Sequence, residues 1–491
     1  MSRPNILIIL TDEHRFDGVG FNGNPHIRTP NLDRLASEAT NLAGHTCSTP
    51  VCTPSRASMM TGRYARSHGA FDVGYTLEPP SGADTPPAVS TPLSFKAPPP
   101  EPLPLLSTCL KRAGFRTGYF GKAHFHPSLD EERAPRPSAP HYDFDTHHTV
   151  EDHLEGGYIE FIRREHPEQL DNARKLANEG YQDPPIYSAG GTLGEVFTSE
   201  IPQHLYPTSW ITDRTLDFLD AGSGEPFFAV CSYLDPHHPW TPPEPFASMY
   251  RPEDLPVPPR RPEDTRGLKP GYYYTQDLPD SEYRRMVAAY YSMITLIDHN
   301  VGRILDRLER NGQLENTLIV FTSDHGDYNG DHGLIRKNLW LYDVLLRVPC
   351  LIRLPGQTEA RRLDGPSQHE DLMPTLLDAV GVDVPTTVQG KSWLANLVDP
   401  ALPPPREFAY YEQPRRALTG PSVGVRHGDW KLLHYPESQG FVLANTRRDP
   451  MEYVNRSGEP ACAAIERRLR DALLQWLLTT PHHRPPKTWV W

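Results

Sequence analysis

A cysteine and an arginine four residues apart, Cys52 and Arg56, lie in the stretch Ser48-Thr49-Pro50-Val51-Cys52-Thr53-Pro54-Ser55-Arg56-Ala57-Ser58-Met59-Met60-Thr61-Gly62-Arg63-Tyr64. Pro54 suits the first turn of a helix and the Ala-Ser-Met-Met run continues one, so the spacing places Cys52 where a helix opens. A helix N-terminus offers unpaired N–H groups and favours negative charge, so Cys52 sits where an oxyanion is welcome. From these residues alone, a buried cysteine without chemistry is the competing reading.

Four more polar clusters follow apolar, strand-like runs. Residues 5–10 lead into Asp12-Glu13, two carboxylates that repel unless a cation lies between them. Residues 116–121 lead into Lys122-Ala123-His124, whose two polar side chains point the same way if the strand persists that far. Residues 226–234 lead into Asp235-Pro236-His237-His238-Pro239-Trp240. Residues 317–322 lead into Ser323-Asp324-His325-Gly326-Asp327, and Lys337 lies thirteen residues beyond Asp324. In α/β sheets functional groups collect at the carboxyl ends of strands, which is where these clusters fall.

The positioning elements alternate between strand and helix. Thr29 and Pro30 open a short amphipathic helix as N-cap and first helical residue. Helices are expected at 105–114, 212–221, 281–310 and 368–380, and a further strand at 348–354. The 281–310 helix carries an apolar stripe from Met286 to Leu308 and is stopped by Asn311-Gly312. Beyond about residue 386 the pattern changes to short strands at 408–412, 422–426, 431–434 and 441–444, closed by a helix at 465–478. The division expected is therefore 1–385, carrying the clusters, and 386–491, a smaller α+β unit on a short antiparallel sheet.

Bulk properties narrow the partners. The chain has 491 residues and a net charge of −13, which argues against nucleic acid or an anionic membrane and requires a local basic pocket for any anionic substrate. No apolar run approaches a membrane span, and the early run 6–10 is a buried strand with no signal peptide, so a cytoplasmic protein is expected. Six scattered cysteines (47, 52, 109, 231, 350 and 462) form no CxxC pair and read as reduced. The 54 prolines concentrate in part at 76–104, a length that suits a functional lid. Residues 127–201 are polar and weakly periodic; His147, His148 and His153 there read as a solvated loop. Trp489 and Trp491 are expected to pack on their own domain or on a second subunit, giving a homo-oligomer.

In order, these clusters resemble the type I sulfatases of the alkaline phosphatase superfamily along the whole chain. Cys-x-Pro-Ser-Arg with Thr-Gly-Arg-Tyr resembles their signature, Gly121-Lys122-Ala123-His124 their Gly-Lys-x-His, and Pro236-His237-His238-Pro239 their Pro-His-x-Pro. Ser323-Asp324-His325-Gly326 is similar to their Ser-Asp-His/Asn-Gly element, and 426–433 and 448–455 resemble their C-terminal subdomain. The resemblance implies a large, mixed, mostly parallel sheet sandwiched by helices. It implies that Cys52 is oxidised to formylglycine by a generating enzyme, and that the aldehyde hydrate attacks the sulfur of a small-molecule sulfate monoester. It implies a divalent cation on Asp12, Glu13, Cys52, Asp324 and His325, with Arg56 and Lys122 on the hydrate and the sulfate oxygens. His237 or Lys337 would protonate the leaving alcohol, and His124 would assist expulsion of sulfate.

Two departures stand out. Glu13 replaces a frequent Asp, and His325 replaces a frequent Asn. Calcium is the cation expected, with manganese the alternative that an imidazole nitrogen brings in. The Asp-His pair is also similar to the choline-sulfatase and phosphonate-monoester-hydrolase branches, so a phosphonate monoester or phosphodiester is the second substrate class. A non-catalytic anion-binding relative is the third reading, in which Cys52 stays a thiol. The alcohol released, and the roles of 76–104, 127–201 and 236–275, are not legible; Tyr272, Tyr273 and Tyr274 suit ring stacking or surface packing alike.

Overall fold

The computed structural model describes residues 3–73, 103–124, 142–152, 154, 156–179, 187–188, 192–222, 224–261, 263–264, 278–337, 340–413 and 421–481. The expectations for His153, Tyr272–Tyr274, Trp489, Trp491 and most of the Pro-rich stretch lie outside these residues.

Strand Asn5–Thr11 is buried along its whole length, as an uninterrupted Ile-Leu-Ile-Ile-Leu run must be if both faces are covered. Ile6, Ile8 and Leu10 pack to one side with Met59, Leu106, Leu376 and Leu377, and Leu7 and Ile9 to the other with Ile211, Ile297, Val301 and Ile304. The strand lies inside an eight-stranded sheet in the order Arg361–Leu363, Thr40–Leu42, Cys350–Arg353, Thr317–Ser323, Asn5–Thr11, Phe227–Ser232, Arg116–Gly121 and Thr146–Thr149. Only Cys350–Arg353 runs against its neighbours; every other pairing is parallel. The sheet is thus mixed and mostly parallel, with helices on both faces. On one side are Pro207–Asp220 and the 31-residue Asp280–Arg310. On the other are Cys52–Thr61, Leu106–Arg112 and Leu372–Ala379.

The antiparallel sheet expected near the C-terminus is present as Ala409–Gln413, Ser422–His427, Trp430–Tyr435 and Gly440–Asn445, with helix Ala463–Thr479 against it. Lys431 ties this sheet to the chain just after Lys337: its ammonium donates to Leu341 O at 2.9 Å, Asp343 at 2.8 Å and Glu452 at 2.8 Å. All six cysteines are free thiols. Among the described residues no helix is long and apolar enough to cross a membrane.

Several sequence expectations are corrected. Residues 146–149, carrying His147 and His148, are the sheet's edge strand and not a solvated loop. Part of the unassigned region forms helices Gly157–Glu165 and Leu170–Glu179. Thr29 holds the N-cap position but does not cap with its side chain; Asp298 from the long helix accepts the Leu32 N–H at 2.8 Å instead. A carboxylate close in space but 266 residues away in sequence outcompetes the local hydroxyl.

Candidate active site

Five adjacent parallel strands end in register, and this register gathers the polar clusters. Thr11 pairs with Ser323, Leu10 and Gly121 both pair with Ser232, and Gly121 pairs with Thr149. The residues that follow, Asp12, Asp324, Lys122, the 235–238 turn and Asp152, therefore leave the sheet side by side. Asp324 N–H donates to Thr11 O at 3.1 Å and Asp12 N–H to Asp235 O at 3.2 Å, stitching the strand ends together.

Helix Cys52–Thr61 points its N-terminus at this edge, with Cys52 as its first residue and 1% exposed. The helix is buried on all sides and stops at Gly62, whose φ of 65° is the left-handed conformation that favours glycine. A Cβ there would also meet Val388 at 2.7 Å. Ser55 Oγ donates to Asp324 O at 2.6 Å and fixes the helix to the neighbouring strand.

Cys52 Sγ is ringed by charged and polar atoms. It lies 3.1 Å from Lys337 Nζ, 3.8 Å from Lys122 Nζ, 3.3 Å from His325 Nε2 and 3.7 Å from Asp12 Oδ1. Arg56 bridges two carboxylates, donating from Nη2 to Asp12 Oδ2 at 3.0 Å and from Nε to Asp324 Oδ2 at 2.7 Å. That leaves the Oδ1 atoms of both aspartates facing His325 Nε2, at 4.0 Å and 3.8 Å. The His325 ring is fixed through Nδ1, which donates to Gly326 O at 2.8 Å, so Nε2 is turned inward. One donor atom from each of Asp12, Cys52, Asp324 and His325 lies within 4.8 Å of the others, and all four residues are buried. Two buried carboxylates, an inward imidazole nitrogen and a sulfur or oxygen from residue 52 fit a divalent cation.

Glu13 does not join this group. Its φ of 60° turns its carboxylate away from that of Asp12, and Tyr290 OH holds the turn by donating to Glu13 O at 2.7 Å. The carboxylate meets Lys337 Nζ at 2.5 Å, His238 Nδ1 at 3.1 Å and His237 Nε2 at 3.4 Å. Only the Glu13 backbone N–H reaches the first group, at 3.2 Å from Asp324 Oδ1. His238, unassigned from sequence, lies parallel to His237 with ring centroids 3.9 Å apart.

Lys122 and His124 converge, but not through a continuing pleat. The strand stops at Gly121, whose φ of 102° and whose approach to Ser232 O, 1.8 Å from where a Cβ would be, admit only glycine. Lys122 Nζ sits between Asp12 Oδ2, at 2.6 Å, and the carboxylate of Asp152. His124 Nε2 is 3.7 Å from the other Asp152 oxygen. Asp152 is a residue that sequence reasoning missed; it follows the edge strand, so recognising that strand would have exposed it. Asp327 was missed as well, buried against Glu13.

The charges control one another. Burial would raise the Asp12 carboxyl, but Lys122, His237 and Arg56 hold it well below the usual range. Burial pushes His124 and His237 below an ordinary imidazole. Burial and Glu13 together push Asp327 up, so this pair holds a proton between them.

Such a pocket sets the charges of Arg56, Lys122 and Lys337 around the buried Cys52 sulfur, at the strand ends of an alkaline-phosphatase-like sheet. Fold and pocket together define a hydrolase of anionic esters. The family described as sulfatase matches residues 4–382, and that described as N-sulphoglucosamine sulphohydrolase, C-terminal, matches 330–478. The chain belongs to the sulfatase family and is a sulfuric ester hydrolase. It is similar to an arylsulfatase of Clostridium perfringens, 32% identical over 92% of this chain and 90% of the relative. It is also similar to the multifunctional alkaline phosphatase superfamily protein PehA of Trinickia caryophylli, 28% identical over 99% and 98%. Among solved structures, the phosphonate monoester hydrolase of Agrobacterium radiobacter shares the fold with a TM-score of 0.77, at 24% identity over 97% of this chain and 96% of that one.

Proposed function

We propose that the chain hydrolyses sulfate monoesters of small molecules with an oxidised Cys52 as the nucleophile. The observation that carries this reading is the position of Cys52 Sγ, 3.1 Å and 3.8 Å from two ammonium groups and 3.3 Å from the inward His325 nitrogen. Formylglycine at residue 52, made by a generating enzyme, would supply a hydroxyl nucleophile and a way to release the sulfate afterwards. A divalent cation held by Asp12, Asp324, His325 and residue 52, calcium first and manganese second, would supply charge and acidify that nucleophile.

The chain's own residues do the rest. Arg56 orients Asp12 and Asp324 through its two hydrogen bonds and helps keep Asp12 ionised. Lys122 and Lys337 face the nucleophile from two sides and hold the sulfuryl oxygens, offsetting the negative charge concentrated there. His237, at 8% exposure the more accessible of the two stacked histidines, faces the departing alcohol together with Lys337, and the Lys337 ammonium donates a proton to its oxygen. His124, neutral because burial lowers its pKa, accepts a proton when sulfate leaves.

A second reading, cleavage of phosphonate monoesters or phosphodiesters, draws on the fold shared with the phosphonate monoester hydrolase and the breadth in PehA's name. Lys122 and His124 favour the sulfate reading. Peptide mass across residue 52 together with turnover of an aryl sulfate, an aryl phosphonate monoester and a phosphodiester tests both. A loss of about 18 Da with fastest sulfate release is the expected result. Faster phosphonate or diester cleavage moves the chain to the second reading. An intact thiol with no turnover, from a host that performs the oxidation, overturns both.

A further inference from the structure

We propose that Asp152 sets the charge specificity of this site, tuning it to esters that carry one negative charge and against those that carry two. The inference rests on the sulfatase reading above and deepens it.

Asp152 sits at the carboxyl end of the edge strand Thr146–Thr149, and its side chain is 17% exposed while Lys122, which it grips, is fully buried. The carboxylate is therefore on the open side of the ammonium. It contacts Lys122 and His124 and lies within electrostatic reach of His237, three groups read as touching the substrate. Asp12 already pairs with Lys122 at 2.6 Å, so Asp152 is the second carboxylate on one ammonium.

The local charge balance gives it a task. Arg56, Lys122 and Lys337 face the carboxylates of Asp12, Glu13, Asp324 and Asp152. Asp152 is the carboxylate of this set on the open side, so its negative charge opposes an incoming anion. A sulfate monoester or a phosphodiester, with one charge, meets that repulsion once. A phosphate monoester above its second pKa of about 6 carries close to two charges and meets it about twice over. Without the Asp152 charge this difference is lost.

The test uses full-length protein with Asp152→Asn, Asp152→Ser and Asp152→Glu. Turnover of 4-nitrophenyl sulfate, 4-nitrophenyl phosphate and bis(4-nitrophenyl) phosphate is measured at pH 8. Equilibrium binding of the sulfate and phosphate monoesters is measured by calorimetry in the same variants carrying Cys52→Ala. Asp152→Asn should raise the phosphate-to-sulfate ratio of kcat/KM, and of affinity, by about tenfold or more. The diester-to-sulfate ratio should stay within about threefold, since both carry one charge. Asp152→Glu should keep the wild-type ratios, and Asp152→Ser should behave like Asp152→Asn, which covers the case in which one variant fails to fold. Unchanged phosphate-to-sulfate affinity in folded Asp152→Asn or Asp152→Ser overturns the inference. If wild type turns over no ester, the sulfatase reading fails, and the affinity ratio still decides the role of Asp152.

Discussion

Arg56 Nε donates to Asp324 Oδ2 at 2.7 Å, joining the helix that opens at Cys52 to the strand end that carries His325. The same guanidinium reaches Asp12, so one planar group sets the spacing of two carboxylates and keeps an oxygen of each turned inward. A lysine carries the charge but cannot bridge two carboxylates at fixed angles. Arg56→Lys is expected to lower kcat/KM by about a hundredfold or more, and to weaken cation binding in parallel. Metal content after dialysis, with kcat/KM at saturating calcium, separates the two effects. Retention of full cation affinity would show that the bridge is not needed for the donor group.

His325 brings a nitrogen into a donor set otherwise built from carboxylates and residue 52. His325→Asn replaces it with a carbonyl oxygen, which hard cations prefer. The variant is expected to bind calcium relative to manganese about tenfold better than wild type does. Competitive titration of the two ions reads this directly, and an unchanged ratio would remove His325 from the donor group.

His124 is lowered chiefly by burial and then by Lys122, with Asp152 and Glu151 pulling the other way. A lowered imidazole stays neutral through neutral pH and gains its proton only as pH falls below the ordinary value. The acidic limb of the pH–rate profile should therefore lie below about 6.5, with activity lost as pH drops through it. Asp152→Asn should move that limb further down, because a raising influence is removed. A limb at or above about 6.5 would assign the limiting protonation to another group.

Glu370 is buried beneath the segment that precedes Cys52, and burial pushes its carboxyl up to about 8. Ser48 Oγ donates to one of its oxygens, and the other has no hydrogen-bond partner among the described residues. A carboxyl raised in the folded chain binds more protons there than when unfolded. Its contribution is complete below an unfolded value of about 4.5, erodes above that, and is gone once pH passes about 8. The melting temperature should fall between pH 6 and pH 9, and Glu370→Gln should flatten that slope and be the more stable protein at pH 9. Parallel slopes for the two proteins would show that Glu370 is not the group responsible.

Much of this molecule is legible before its structure. The uninterrupted apolar runs at 5–10, 226–234 and 317–322 can only be strands covered on both faces, and each is followed by polar residues that the register then aligns. The helix from 280 to 310 is written in its apolar stripe. The exposed edge strand Thr146–Thr149 is not, because Thr-His-His-Thr has neither an apolar run nor an alternation to betray it. Asp152 was hidden with it. Glu13 shows a different limit: adjacency to Asp12 suggests one shared cation, and only the left-handed turn at Glu13 sends the two carboxylates to different partners. Spacing along a chain does not report the sign of φ.

Finally, on the proposed oxidation of Cys52, its place sets an order of events in the making of this protein. Its side chain is 1% exposed, and its neighbours are supplied by residues as distant as 12, 122, 325 and 337. The segment around residue 52 leaves the ribosome long before residues 325 and 337 exist to enclose it. An oxidising enzyme needs the thiol in hand, so its window closes when the last of these strands docks. Chains denatured and refolded with the thiol intact should stay inactive when the oxidising system is added afterwards, and should respond when it is present during refolding. On that proposal, closure of the fold and oxidation of residue 52 compete for the same interval.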